Sequence, residues 1–149
     1  MFLRRLLPLA FLLATLSLAG CEKDDTTPAP AALVGQRWQL VQVDAFPLGA
    51  SSYSPTTQSY LEFTVLGGCT VGLGPCNNFS GRFTLGANGQ ALRITPQIAT
   101  RAACPVQPLE TQYLDNLALT ARYEIGGGEL RLYDGQRATP RLVFRAPAR

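Results

Sequence analysis

The sequence predicts an α+β domain: a mainly antiparallel sheet, curled or closed halfway into a barrel, with one covering helix. Three observations carry that expectation. Apolar and polar residues alternate with period two through most of the chain beyond Leu33. Glycine and proline cut the alternation into short pieces, as antiparallel strands require. One segment, "VQPLETQYLDNLALT", changes to helical spacing instead.

The strands follow in order. "RWQLVQVDAF" alternates Trp38, Leu40, Val41 and Val43 with polar residues, imperfectly, and reads as the first strand. "FPLGASSYSPTTQ" is a loop broken by Pro47, Gly49 and Pro55. "SYLEFTVL" sets Leu61, Phe63 and Val65 against Tyr60, Glu62 and Thr64. After the glycine-rich "GGCTVGLGPCNN", three short strands are expected in "FSGRFTLG", "QALRIT" and "QIATR". Asn88-Gly89 lies between the first two of these, a pair suited to a tight hairpin because both residues accept positive φ.

The helix is expected over residues 107–119. Leu109, Tyr113, Leu114 and Leu117 form its apolar face, Pro108 stands near its start and Glu110 in its first turn. Strands return in "ARYEI", "ELRLYD" and "PRLVFRA". Gly126-Gly127-Gly128 joins the first two, and a loop around Gly135 and Pro140 joins the last two.

The first residues stand apart from this domain. Arg4 and Arg5 precede an apolar run from Leu6 to Leu18, which is too short to span a bilayer and has the form of a secretory signal. Its end, "LAGC", resembles the lipobox of bacterial lipoproteins, which implies cleavage before Cys21 and lipidation of that cysteine. Residues 1–20 are then a lipoprotein signal peptide, residues 21–32 a tether and residues 33–149 the domain. The tether, "CEKDDTTPAPAA", is polar and Pro/Ala-rich, and would hold the domain up to roughly 30–40 Å from the membrane. Its "CEKDD" start resembles a surface-export tag, and an ordinary soluble linker fits as well. The expected location is therefore the outer membrane, with the periplasmic and cell-surface faces both open.

Charge excludes one class of partner. The formal net charge of +3 includes Arg4 and Arg5, so it falls to about +1 once the signal is removed. No basic tract remains for a nucleic-acid surface.

Placed in order, "LVGQRWQLV", "CNNFSGRF", "IATRAAC", "LETQYLDNL", "GGELRLY" and "LVFRA" resemble the META domain family, also called HslJ-like. The match runs from Leu33 to Ala146. Its motif residues here are Asn77, Phe79, Gly81, Thr100, Arg101 and Glu110, with Cys76 and Cys104 beside them. The resemblance implies a small bacterial envelope domain, often lipid-anchored and linked to stress or drug tolerance, with no established enzymatic activity. Cys69 and the "CTVGLGPC" insert depart from the family pattern.

The chain contains no histidine, which removes Cys-His and Ser-His-Asp machinery and the commonest metal ligand. Cys69 or Cys76 could act as a nucleophile only if a neighbour such as Arg82 or Arg101 lowered its pKa. Six residues separate those two cysteines, which is neither a redox pair nor a zinc knuckle. Glu62, Glu110, Asp115, Glu124 and Glu129 are scattered, and none is placed as an acid/base couple. Glu110 reads as a first-turn residue favoured by the helix dipole, and Arg101 as its ion-pair partner or a solvated surface arginine. Asn77 and Asn78 suit a sharp turn ending in Gly81.

An exported chain lies where disulfides persist. Three cysteines remain once Cys21 is lipidated, so one is left over. The family pattern favours Cys76–Cys104, worth about 3–4 kcal/mol on the chain-entropy model, and Cys69–Cys76 is the rival. The leading functional expectation is a non-catalytic binding or interaction module, monomeric, without cofactor or metal. Its partner would be an envelope protein or a small amphipathic ligand in the mouth of the half-barrel. The alternatives are a thiol-dependent envelope enzyme and an inhibitor or assembly-helper lipoprotein.

Overall fold

The computed structural model describes residues 32–49, 58–64, 68–87 and 89–147. The predicted signal, Cys21 and all but the last residue of the tether lie outside the described residues, as does Asn88. Ten strands and one helix follow in the order β1 (Arg37–Val43), β2 (Phe46–Pro47), β3 (Tyr60–Phe63), β4 (Cys69–Leu73), β5 (Asn78–Leu85), β6 (Leu92–Ile94), β7 (Ile98–Ala99), α1 (Gln107–Ala118), β8 (Arg122–Gly126), β9 (Glu129–Tyr133) and β10 (Leu142–Arg145).

The sheet runs β6-β5-β4-β3-β1-β10-β9-β8, with β2 added to β1 and β7 to β5. Every strand pairing is antiparallel. Its two ends curl together and touch at an isolated bridge between Ala91 and Arg122. The α+β expectation therefore holds, and the sheet is a nearly closed barrel with one seam.

Local chemistry explains most of these elements. Trp38 and Leu40 point inward from β1, but so does Val43, because a bulge between Leu40 and Gln42 shifts the register. That bulge is the reason the alternation there looked imperfect. Gly127 and Gly128 both take positive φ, 62° and 77°, in the two-residue turn between β8 and β9. Gly89 has φ 71°, and β5 and β6 pair on either side of its turn.

Three expectations are corrected. The glycine-rich stretch after residue 67, in which no strand was expected, holds one: Cys69–Leu73 forms β4 and pairs with both β3 and β5. Its apolar residues, Cys69, Val71 and Leu73, lie on the half-buried face, whereas Thr70 and Gly72 are the inward residues, and Gly72 is small because the Phe79 ring lies over it. Gly81 does not end a turn but sits inside β5, opposite Thr70, with the Gln97 amide filling the space a side chain would take. β7 is a two-residue strand rather than the longer one expected.

The helix matches its expected span to within one residue, and its expected apolar face packs on the core, but two polar residues are buried on it as well. It buries Glu110, Tyr113, Asn116 and Leu117, while Leu109 and Leu114 are only half-buried. No side chain caps its start at Val106, and a proline sits in its first turn. Tyr113 is fully buried, edge-on to Phe79 of β5 at 5.6 Å and tilted against Phe144 of β10 at 6.1 Å. These rings seat the helix on the barrel core, which includes Trp38, Leu61, Phe63, Leu92, Leu130 and Leu142. Each such side chain, fully buried, contributes roughly 1.5–3 kcal/mol. The Trp38 indole N–H donates to the Leu33 carbonyl at 2.9 Å and ties down the first residues of the domain. Among the described residues, no helix is long and apolar enough to cross a membrane.

Candidate functional site

Three polar side chains of the motif stretches, Asn77, Thr100 and Glu110, converge at the N-terminal end of α1. The β4–β5 turn, Gly74 to Asn77, presents the backbone N–H groups of Cys76 and Asn77 to the helix. Glu110 is 2% exposed, and its Oε2 accepts from the N–H of Cys76 at 2.8 Å and of Asn77 at 2.7 Å. Its Oε1 accepts from Asn77 Nδ2 at 2.6 Å and from Gln107 Nε2 at 3.4 Å. The Asn77 side chain, itself buried, completes the knot. Nδ2 also donates to the Ala102 carbonyl, and Oδ1 accepts from Thr100 Oγ1 at 2.9 Å and Ala102 N–H at 2.7 Å. Both donors and both acceptor positions of the amide are thereby used.

The cysteines close the same loop. Cys76 is joined to Cys104 in a disulfide, with Cα atoms 5.9 Å apart and a sequence separation of 28. Gly74 completes the fit, because a Cβ there would lie 2.6 Å from Glu110 Oε2. The Asn77 carbonyl accepts from the Gly74 N–H within the turn, but its side chain bonds across to two other segments. Glu110 is not mainly a dipole-favoured surface residue but the helix's anchor to the hairpin. Arg101 is exposed and makes no ion pair with it. Phe79 belongs to the core and Gly81 to strand packing. Cys69 lies in β4 opposite Arg82, outside this bridge, its carbonyl accepting from the Thr64 N–H.

A second polar cluster holds the other end of the helix, and the sequence reading missed it. Asp44, in the β1–β2 turn with φ 48°, accepts from Gln112 at 2.8 Å, Asn116 at 3.0 Å and Arg141 at 3.3 Å. Burial pushes the Asp44 carboxyl up, but the Asn116 and Gln112 amides and the Arg141 guanidinium outweigh it and leave it below its ordinary value. Asp134 accepts from the backbone N–H of Gln136 and Arg137 and from Arg141 Nε at 2.8 Å. Those backbone donors first, and then Arg141, lower its pKa to about 2. The Asp134-Gly135 pair was a visible turn signal; the partners of Asp44 lie too far along the chain to be visible.

Chemically, the first cluster is closed. The Cys76 sulfur is committed to Cys104, and the Glu110 oxygens face N–H donors from the turn and from Gln107. Among the described residues, no group of three or more Cys, Asp or Glu side chains could hold a metal ion.

The family model for the META domain matches residues 31–147. The chain belongs to the META domain family. An NMR structure of a protein from Burkholderia xenovorans resembles this META domain with a TM-score of 0.60 and 22% identity, covering 81% of this chain and 90% of that one. A second NMR structure has a TM-score of 0.58 and 22% identity, covering 78% and 93%. At that identity the likeness is one of fold. No curated protein matches the chain.

Proposed function

We propose that this META-domain protein is a lipid-anchored, non-catalytic module of the bacterial envelope that binds a partner or small ligand and contributes to envelope stress tolerance. The observation that carries the reading is the commitment of Cys76, Asn77, Thr100 and Glu110 to one another. These are the chain's best candidates for chemistry, and they fasten a hairpin to a helix instead. A thiol nucleophile must be accessible as thiolate, whereas the Cys76 sulfur is covalently occupied. Rigid barrels braced in this way present loops and shallow hollows for recognition.

Non-reducing peptide mapping by mass spectrometry, on protein purified from membranes, tests both halves of this reading. The expected result is diacylglycerol on Cys21 and a linked Cys76–Cys104 peptide, followed by stoichiometric recovery of a partner in a cross-linked pull-down. Free, readily alkylated Cys76 would favour the thiol-dependent enzyme.

A further inference from the structure

The barrel seam is narrow among the described residues. Besides the Ala91–Arg122 bridge, the Leu92 N–H donates to the Ala121 carbonyl at 3.1 Å and the Tyr123 N–H to the Gln90 carbonyl at 3.0 Å. Beside this seam lies a hollow of about 420 Å³, within the size range of small-ligand sites. Its wall includes Gln90, Arg122, Asp134, Gln136 and Arg137, drawn from three separate stretches of chain.

We propose that this hollow binds a small carboxylated sugar, a uronic acid being the simplest. The inference deepens the binding-module reading and rests on it. Two arginines, Arg122 and Arg137, line the hollow, and the guanidinium fork matches the planar geometry of a carboxylate. The Gln136 side-chain amide in the wall can donate and accept, as sugar hydroxyls require. Arg122 is pre-positioned: its guanidinium lies 3.6 Å from the Tyr133 ring centroid, and Nη1 pairs with Glu124 at 2.7 Å.

Arg137 is the decisive group. Its contacts to Asp44 and Asp134 are long, 3.6 and 4.0 Å. Both carboxylates are already met by closer donors, Asp44 by Gln112 and Asn116, Asp134 by two backbone N–H groups and Arg141. Arg137 can therefore turn its fork to a ligand while both acids keep their partners. The same saturation reduces the repulsion that Asp134 would exert on an incoming carboxylate.

A ligand in the hollow touches both sides of the seam, so binding should raise the unfolding temperature. The test is calorimetric titration and thermal unfolding of the detergent-solubilised full chain with galacturonate, galactose and inorganic phosphate. Galacturonate should bind saturably and raise the midpoint, and the other two, each with half the recognition, should bind at least about tenfold more weakly. Arg137→Gln and, separately, Arg122→Gln should each weaken galacturonate by about tenfold or more, while Arg93→Gln, elsewhere on the barrel, should not. No saturable heat with galacturonate overturns the proposal, as does phosphate binding equally well or both variants binding undiminished. These outcomes do not depend on the pull-down, so either reading can fail alone.

Discussion

Glu110 and Asn77 grip each other twice: the Asn77 backbone N–H meets Oε2 at 2.7 Å and its side-chain amide meets Oε1 at 2.6 Å. One residue is in the first turn of the helix and the other at the end of the β4–β5 hairpin. This pair of hydrogen bonds, together with the packing of Leu109 and Tyr113 on the core, fixes the N-terminal end of α1 against the barrel. Replacing Glu110 with Ala leaves buried N–H donors without an acceptor, and the expected loss is about 2–4 kcal/mol. Urea denaturation of Glu110→Ala against wild type measures it. A loss under about 0.5 kcal/mol would show that the helix is held by its rings alone.

The disulfide closes the same loop from the other side. Reduction, or Cys76→Ala with Cys104→Ala, should cost about 3 kcal/mol and leave the fold intact at room temperature, because Glu110 still holds the turn. Unfolding midpoints with and without reductant check this. Combining the cysteine pair with Glu110→Ala should be non-additive, since the interactions share one loop.

Acid should loosen the far end of the helix first. Asp44 and Asp134 both sit below their ordinary carboxylate range, Asp134 at about 2 against 3.8. A depressed carboxyl stabilises the fold fully above its unfolded value and loses that contribution as pH falls through its folded value. Stability should thus decline as pH drops from about 5 towards 2. In urea titrations across that window, Asp134→Asn should show a shallower pH slope than wild type. An unchanged slope would place the acid sensitivity elsewhere.

Two glycines should respond oppositely to the same change. A Cβ on Gly72 would lie 2.3 Å from the Phe79 ring and 2.4 Å from the Tyr60 carbonyl, whereas one on Gly126 would meet nothing within 4 Å. Gly72→Ala should cost roughly 1–3 kcal/mol or more, and Gly126→Ala should fall within about 0.5 kcal/mol of wild type. Thermal unfolding of the two variants side by side decides it.

Much of the barrel was legible from residues alone. Period-two alternation marked β1, β3, β5 and the last three strands, and positive-φ glycines marked the β8–β9 hairpin. The helical spacing placed α1 within one residue. These signals are local, because strand and helix periods reflect which face of a short segment meets the core. β4 escaped, since its inward residues are Thr70 and Gly72, and a small residue under a ring has no apolar signature of its own.

The sequence by itself determined the antiparallel curl, most of the strands in their order and the helix α1, but not β2 or β4. Family resemblance singled out Asn77, Thr100 and Glu110, but not what they do. Tertiary structure decided that Glu110 points inward at a hairpin 33 residues away, that Asp44 meets Asn116 across 72 residues, and that the sheet closes at Ala91–Arg122. The physical reason is that a buried carboxylate or amide is tolerated only where its partners arrive in three dimensions, and partners that distant leave no period in the chain.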